Sequence, residues 1–117
     1  MRYLLAAWLL ALSSLAAAHT PLESSAPAEN ATVPGPVKQL LLAFGGDVRL
    51  TAVVLIDAQG ATKKTAPVPA AVAKQFTLAV EEDLRPGAYT VTWRAVGADT
   101  HVVSGEIHFT IAAAQPL

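Results

Sequence analysis

The sequence predicts an all-β protein, an immunoglobulin-like β-sandwich or Greek-key barrel, behind a cleavable N-terminal segment. Two observations support the fold class. Short runs rich in β-branched and aromatic residues recur along the chain, and turn residues separate them. Several of these runs alternate apolar with polar residues, which is typical of a strand with one buried face. A further observation, the absence of any long helical pattern, favours an antiparallel sandwich.

The first 18 residues differ from the rest of the chain. A short basic start precedes an apolar run, and Ala16 and Ala18 occupy the positions of an A-x-A processing site. The run is too short to span a bilayer. We therefore expect residues 1–18 to be a secretory signal peptide and residues 19–117 to form one domain that begins at His19. The alternatives are an uncleaved membrane anchor and cleavage elsewhere, for example after Ala17.

Composition limits the chemistry available to this domain. The chain has no cysteine, and Met1, its only methionine, lies in the predicted signal peptide. A metal bound by residues 19–117 therefore meets nitrogen and oxygen donors only. The formal net charge of −1 suggests neither nucleic acid nor an anionic membrane surface as a partner. A G-x-S-x-G motif and a glycine-rich phosphate loop are both missing from the sequence, so we expect no hydrolase or nucleotide enzyme.

The predicted elements follow in chain order. Residues 19–36 contain four prolines and are expected to form an extended arm. After the arm come five predicted strands, at residues 37–44, 48–56, 75–80, 89–96 and 102–111. Turns are predicted at residues 45–47, 57–60 and 84–87. Residues 69–74 are expected to be a loop with a helical turn, because one and a half turns make too short a helix.

Tyr89 has a predicted structural role. It begins a strand directly after a Pro86-Gly87 turn, and Val91 and Trp93 follow it on the same strand face. This arrangement is typical of the tyrosine corner of immunoglobulin-like folds, in which the Tyr hydroxyl bonds to upstream backbone.

Two of the three histidines lie in contexts that favour metal binding. After cleavage, His19 would offer its α-amino nitrogen and its ring Nδ1, which together form a six-membered chelate. Asp99 and His101 are two residues apart near the start of the last predicted strand, so they project from one face and can meet one ion. The three residues supply three nitrogens and one oxygen, a complete equatorial plane for copper(II).

The third histidine has the wrong strand parity for this site. Counting along the last strand puts His108 and Glu106 on the face opposite to His101. A bulge at Gly105 would reverse that order. We expect His108 to be an exposed strand residue beside Glu106.

The chain resembles the CopC/PcoC periplasmic copper-binding proteins of bacterial copper resistance and homeostasis. The likeness covers the whole chain after the signal peptide. It rests on the stretch His19-Thr20-Pro21-Leu22-Glu23, on Leu84-x-Pro86-Gly87-x-Tyr89, and most specifically on Ala95 to Gly105 around Asp99-Thr100-His101. The resemblance implies an immunoglobulin-like fold, with copper(II) bound by the processed N-terminal His and by the Asp-x-His. The matching positions are His19, Asp99 and His101.

Two departures from the family pattern affect what the resemblance implies. Some members carry a methionine-rich loop that forms a copper(I) site, and its absence here implies a copper(II)-only member. A Glu that lies near copper in some relatives, shortly after the Phe of the first strand, is replaced by Gly45-Gly46-Asp47. Asp47, His108 and water therefore remain open as further ligands.

The leading hypothesis is a periplasmic copper(II)-binding protein, a monomer, that sequesters the ion or passes it to a partner. The resemblance implies an inner-membrane CopD-type transporter or other copper-resistance proteins as that partner. One alternative is an enzyme, since a His chelate with a second His also resembles the histidine brace of copper monooxygenases. Another is an immunoglobulin-like interaction module without metal.

Overall fold

The computed structural model describes residues 22–113, and residues 1–21 and 114–117 lie outside it. The regular secondary structure of the described residues consists of strands only. These are β1 Leu22–Ala26, β2 Ala31–Pro34, β3 Gln39–Asp57, β4 Thr62–Lys63, β5 Val72–Ala79, β6 Gly87–Gly97 and β7 Val102–Ala112. None of the described residues belongs to a helix that is long and apolar enough to cross a membrane.

The strands form one curled sheet in the order β1-β3-β6-β7-β2, and β4 and β5 pair with the other edge of β3. All pairings are antiparallel except that of β2 with β7. Because β3 is long and bent, it pairs with β1, β4, β5 and β6 in turn and joins the two layers of the sandwich. The predicted all-β class and sandwich architecture are confirmed.

The predicted break at Gly45-Gly46-Asp47 is wrong, because β3 runs through it as one strand. The register with β5 shifts between Ala43 and Val48, so the segment is an irregular, bulged part of the ladder and no chain reversal. A bulge inserts unpaired residues and bends a strand without ending it. Turn-forming residues therefore produced a bend here where the sequence suggested a turn.

Two other segments differ from their predictions. The arm before Pro36 contains the edge strands β1 and β2, whose prolines lie at strand ends or between the strands. Proline is tolerated there because it removes no interior ladder hydrogen bond. The helical turn expected in residues 69–74 is wrong, since β5 begins at Val72, which pairs with Arg49 of β3.

Trp93 of β6 is a core residue in the half of the strand that leads to the β6–β7 turn. It is 5% exposed, and its ring packs edge-on against Phe44 at a centroid distance of 5.2 Å. Gly105, its partner across the ladder, lies beneath the indole ring. The core as a whole consists of Val37, Leu40, Leu42, Phe44, Val48, Leu50, Leu55, Phe76, Leu78, Tyr89, Val91, Trp93, Ala95, Ile107, Phe109 and Ile111.

The predicted tyrosine corner is confirmed at the opposite end of β6. The Tyr89 hydroxyl donates a hydrogen bond to the backbone carbonyl of Arg85 at 2.6 Å. Its ring is buried and stacks on Phe109 at 5.5 Å. This bond fixes the connection that leads into β6, and β6 carries the site described next.

Candidate metal centre

A tight turn joins β6 to β7 and carries the predicted Asp-x-His. The backbone N–H of Thr100 donates to the carbonyl of Gly97 at 2.9 Å, and the N–H of Gly97 donates to the carbonyl of His101 at 3.0 Å. Thr100 has a φ of 66°, a left-handed conformation that is unfavourable for a β-branched residue. With Thr100 in this conformation, the chain completes its reversal within three residues, as in three-residue hairpin loops.

This turn brings the side chains of Asp99 and His101 together. The Nδ1 atom of His101 lies 2.8 Å from Oδ2 of Asp99, and the backbone N–H of His101 donates to Oδ1 of Asp99 at 3.1 Å. Both side chains are open to solvent, at 66% exposure for Asp99 and 81% for His101. The hydrogen bond with the imidazole, followed by the one from the backbone, lowers the pKa of Asp99. Its carboxylate is therefore ionised and accessible.

The N-terminal end of β1 points toward this turn. At Leu42, β3 has β5 on one edge and β1 on the other. At Val48, β3 again has β5 on the first edge, and β6 takes the second. β1 and β6 therefore lie on the same edge of β3. Leu22, where β1 begins, pairs with Phe44, only four residues before Val48. The first described residue and the β6–β7 turn thus share one end of the sandwich.

Two further carboxylates lie near this end. Asp47 lines a groove of about 450 Å³ beside the turn, together with Gly97 and Thr100. Glu23, on β1, extends over Gly45, where an added Cβ would lie 3.2 Å from its Oε2. Gly45 therefore leaves room for the Glu23 side chain.

The third histidine belongs to a separate cluster. His108 is exposed on β7, as its parity predicts, and its Nε2 lies 3.2 Å from Oε1 of Glu106. Its Nδ1 lies 3.2 Å from Oε2 of Glu29, and its backbone N–H donates to Oε1 of Glu29 at 2.7 Å. The hydrogen bond with Glu29 raises the pKa of His108 most, and the bonds from His108 lower the pKa of Glu29.

Sequence reasoning missed Glu29 as the main partner of His108. The two residues are 79 positions apart and meet only because β2 pairs in parallel with β7, and no local pattern indicates that pairing. The two carboxylates contact opposite nitrogens of the ring, so they do not converge on one point. Within residues 22–113, no three His, Cys, Asp or Glu side chains are grouped so that they would hold a metal ion.

The predicted ligands thus have different outcomes. Asp99 and His101 lie in contact, and their role as metal ligands stays a prediction. His19 lies outside the described residues, so the complete ligand set stays a prediction.

Comparison with known proteins places this geometry in a family. The CopC domain profile matches residues 22–112. Copper resistance protein C of Pseudomonas syringae pv. tomato is 33% identical in a 112-residue alignment that covers 86% of this chain and 86% of that protein. The crystal structure of CopC from Methylosinus trichosporium OB3b superimposes with a TM-score of 0.72 at 27% identity, covering 85% of this chain and 99% of that one.

A second solved structure is also similar. PcoC, a methionine-rich copper resistance protein from Escherichia coli, matches with a TM-score of 0.62 at 31% identity and covers 80% of this chain and 99% of its own. The profile spans every strand of the fold, from β1 to β7, including the turn with Asp99 and His101. The chain belongs to the CopC family.

Proposed function

We propose that this protein is exported to the periplasm, is cleaved after Ala18, and there binds one copper(II) ion that it holds or passes to a partner. The proposed ligands are the α-amino nitrogen and imidazole of His19, the carboxylate of Asp99 and the imidazole of His101. Copper is the cargo of the protein, and membership of a family of copper resistance proteins supports a role in copper resistance.

The contact between Asp99 and His101 carries the proposal. Its donor atoms are 2.8 Å apart. Two ligands that occupy neighbouring corners of a square plane, with bonds of about 2.0 Å, are separated by about 2.8 Å. A copper(II) ion bound to both atoms would lie about 1.4 Å to one side of the line that joins them. The separation of the two donor atoms can therefore stay as it is, while the imidazole ring rotates to direct Nδ1 at the ion. This preformed pair supplies half of a tetragonal site.

The position of β1 supports His19 as the source of the other half. His19 precedes Leu22 by three residues, and an extended chain of that length spans about 10 Å. Leu22 begins β1 on the edge of β3 that also carries β6 and the β6–β7 turn. The proposed N-terminus therefore has the turn within its reach. Uncleaved protein would have an amide at this nitrogen and would lack one donor.

The donor types support copper(II) as the ion. Imidazole, amine and carboxylate suit copper(II), whereas copper(I) prefers thiolate and thioether ligands. Residues 19–117 contain neither cysteine nor methionine. An anionic carboxylate in the ligand plane also stabilises the higher charge, which favours storage or transfer over redox cycling.

The openness of the site supports exchange with a partner. Both side chains of the pair are more than half exposed, so a second protein has direct access to them. We propose that the protein acts as a monomer and that its partner is a CopD-type transporter of the inner membrane or another copper resistance protein.

Copper(II) titration of protein that begins at His19 tests the proposal. We expect one ion per chain and an electron paramagnetic resonance spectrum of a tetragonal site with nitrogen ligands. His101→Ala and Asp99→Ala should each weaken binding and change the spectrum. His108→Ala is the matched control, because it removes an exposed imidazole from the separate cluster and should change neither. Unaltered affinity in His101→Ala would contradict the proposal.

A further inference from the structure

A row of three valines and one arginine crosses the outer face of the sheet beside the β6–β7 turn. Val72 of β5 pairs with Arg49 of β3, Arg49 pairs with Val96 of β6, and Val96 pairs with Val102 of β7. Directly opposed residues of antiparallel strands project from the same face. The four side chains therefore form one continuous row across four strands, about 14 Å long at the usual strand spacing.

The row lies in the open. Val102 is 62% exposed and Val72 is 53% exposed, the two largest values among the exposed large hydrophobic residues of the described chain. The inward-facing neighbours Val48 and Ala95 are almost completely buried, so the core does not need the outer valines. Val96, between Val72 and Val102, is half-buried, so the row presents a small apolar patch beside the β6–β7 turn.

Two arginines give this surface its charge. Arg49 lies within the row, and Arg94 lies two residues before Val96 on the same face of β6. Both are exposed, and no carboxylate among residues 22–113 lies within ion-pairing distance of either guanidinium. Arginine is favoured in protein interfaces, where it pairs with carboxylates in a fixed fork geometry. The two side chains are therefore free to pair with a partner.

The row adjoins the proposed copper site. Arg49, Val72 and Val96 line the same groove as Thr100, the residue between Asp99 and His101. Arg49 and Asp47 line the groove, Asp99 lies in the turn, and Arg94 lies beside the row, so the formal charges of these four side chains cancel. A bound copper(II) ion brings two positive charges but displaces the proton of the His19 amine, so this edge gains about one positive charge. Loading the site would therefore make the surface cationic.

We propose that the row Val72–Arg49–Val96–Val102, together with Arg94, is the surface on which the copper-loaded protein docks a partner protein that presents apolar side chains among carboxylates. The inference rests on the proposed copper(II) site and adds the kind of partner that the site serves. Docking on this row would bring the partner beside Thr100, the residue between the two proposed ligands from which copper must be transferred. Copper loading strengthens docking because it gives the surface a net positive charge, which attracts the carboxylates of the partner.

A labelled synthetic peptide of alternating leucine and glutamate, with blocked ends, is the probe. Its binding to wild-type protein is measured by fluorescence anisotropy, with and without one equivalent of copper(II). We expect binding that salt weakens and that copper loading strengthens about twofold at low ionic strength, as one added charge about 10 Å from a carboxylate predicts. Arg49→Glu with Arg94→Glu should weaken binding about tenfold, because like charges then oppose each other.

The matched control is Lys38→Glu with Lys64→Glu, which changes net charge equally. These lysines adjoin Val80 and Glu81, beyond the far end of β5, and should leave peptide binding unchanged. A second variant, Val72→Ser with Val102→Ser, removes apolar contact only and should also weaken binding. Circular dichroism establishes that each variant is folded.

Several results would overturn the inference. These are equal peptide binding by the double arginine variant and the wild type, equal binding of a leucine–lysine peptide, or stronger binding to phosphatidylglycerol vesicles than to the acidic peptide. Self-association through this face would also overturn it. Copper titration of the same samples separates the two proposals. One copper(II) per chain without peptide binding refutes the docking surface alone, whereas failure to bind copper refutes the proposed function and the copper-strengthened docking.

Discussion

We predict that even the substitution Gly105→Ala destabilises the fold, because Trp93 occupies the space that the added methyl group would need. A Cβ added at Gly105 would lie 2.8 Å from Cζ2, 3.0 Å from Cε2 and 3.1 Å from Nε1 of the indole. The first of these distances is far inside van der Waals contact. The ring is rigid and buried, and it packs edge-on against Phe44, so it cannot move away cheaply.

The expected cost follows from overpacking of a rigid core. Adding a methyl group to a well-packed core costs about 1–3 kcal/mol. For a domain of this size, that corresponds to a fall of roughly 4 to 24 °C in Tm. Thermal unfolding of Gly105→Ala by circular dichroism measures the change. Fluorescence reports the same event, because Trp93 is the only tryptophan after residue 18.

Gly46→Ala is the matched control for this prediction. A Cβ at Gly46 meets no heavy atom within 4 Å, and its backbone is outside the positive-φ region. Its Tm should stay close to that of the wild type. An unchanged Tm in Gly105→Ala, or an equal loss in Gly46→Ala, would refute the packing of Trp93 on Gly105.

Further predictions concern hydrogen bonds, strain and charge. Tyr89→Phe should lower the free energy of unfolding, measured in guanidinium, by about 1 kcal/mol, because it removes one partly buried hydrogen bond. It should leave copper binding unchanged, because that bond lies at the end of β6 opposite to the β6–β7 turn. Thr100→Asn should stabilise the fold by about 0.5–1 kcal/mol, and Asn30→Thr should destabilise it similarly, because both positions have positive φ. His108→Gln should destabilise the protein most between pH 4.5 and 6.5 in a series of unfolding curves. Because the pKa of His108 is raised on folding, its contribution to the free energy of unfolding is complete below pH 6.5 and is lost as the pH rises. Because the pKa of Glu29 is lowered on folding, its contribution is complete above pH 4.5 and is lost as the pH falls. A pH-independent difference would contradict the ion pair.

The elements that sequence predicted well depend on local pattern. Alternation along β6 and β7 places Trp93 inside and His108 outside, and the structure agrees at both positions. The Asp99–His101 contact was predictable because the two residues are only two apart, but the tight turn before β7, with Thr100 at positive φ, brings them together where the sequence suggested a strand face. The tyrosine corner was predictable for the same reason, since its hydrogen bond spans four residues.

The remaining features depend on pairings between distant strands. The bend at Gly45 and Gly46 has the composition of a turn, and only the pairing partners on both sides keep β3 continuous. The contact between Glu29 and His108 needs the parallel pairing of β2 with β7. The outer row beside the β6–β7 turn depends on the register of four strands at once, so the pattern within one strand does not indicate it.

Copper(II) titration of two proteins that differ by one residue tests the proposed copper site most directly. One begins at His19 and the other retains Ala18, so that the nitrogen of His19 is an amide. We expect one tightly bound copper(II) per chain in the first protein, and much weaker binding with an altered electron paramagnetic resonance spectrum in the second. Equal affinity and identical spectra in the two proteins would contradict the proposed role of the His19 amine.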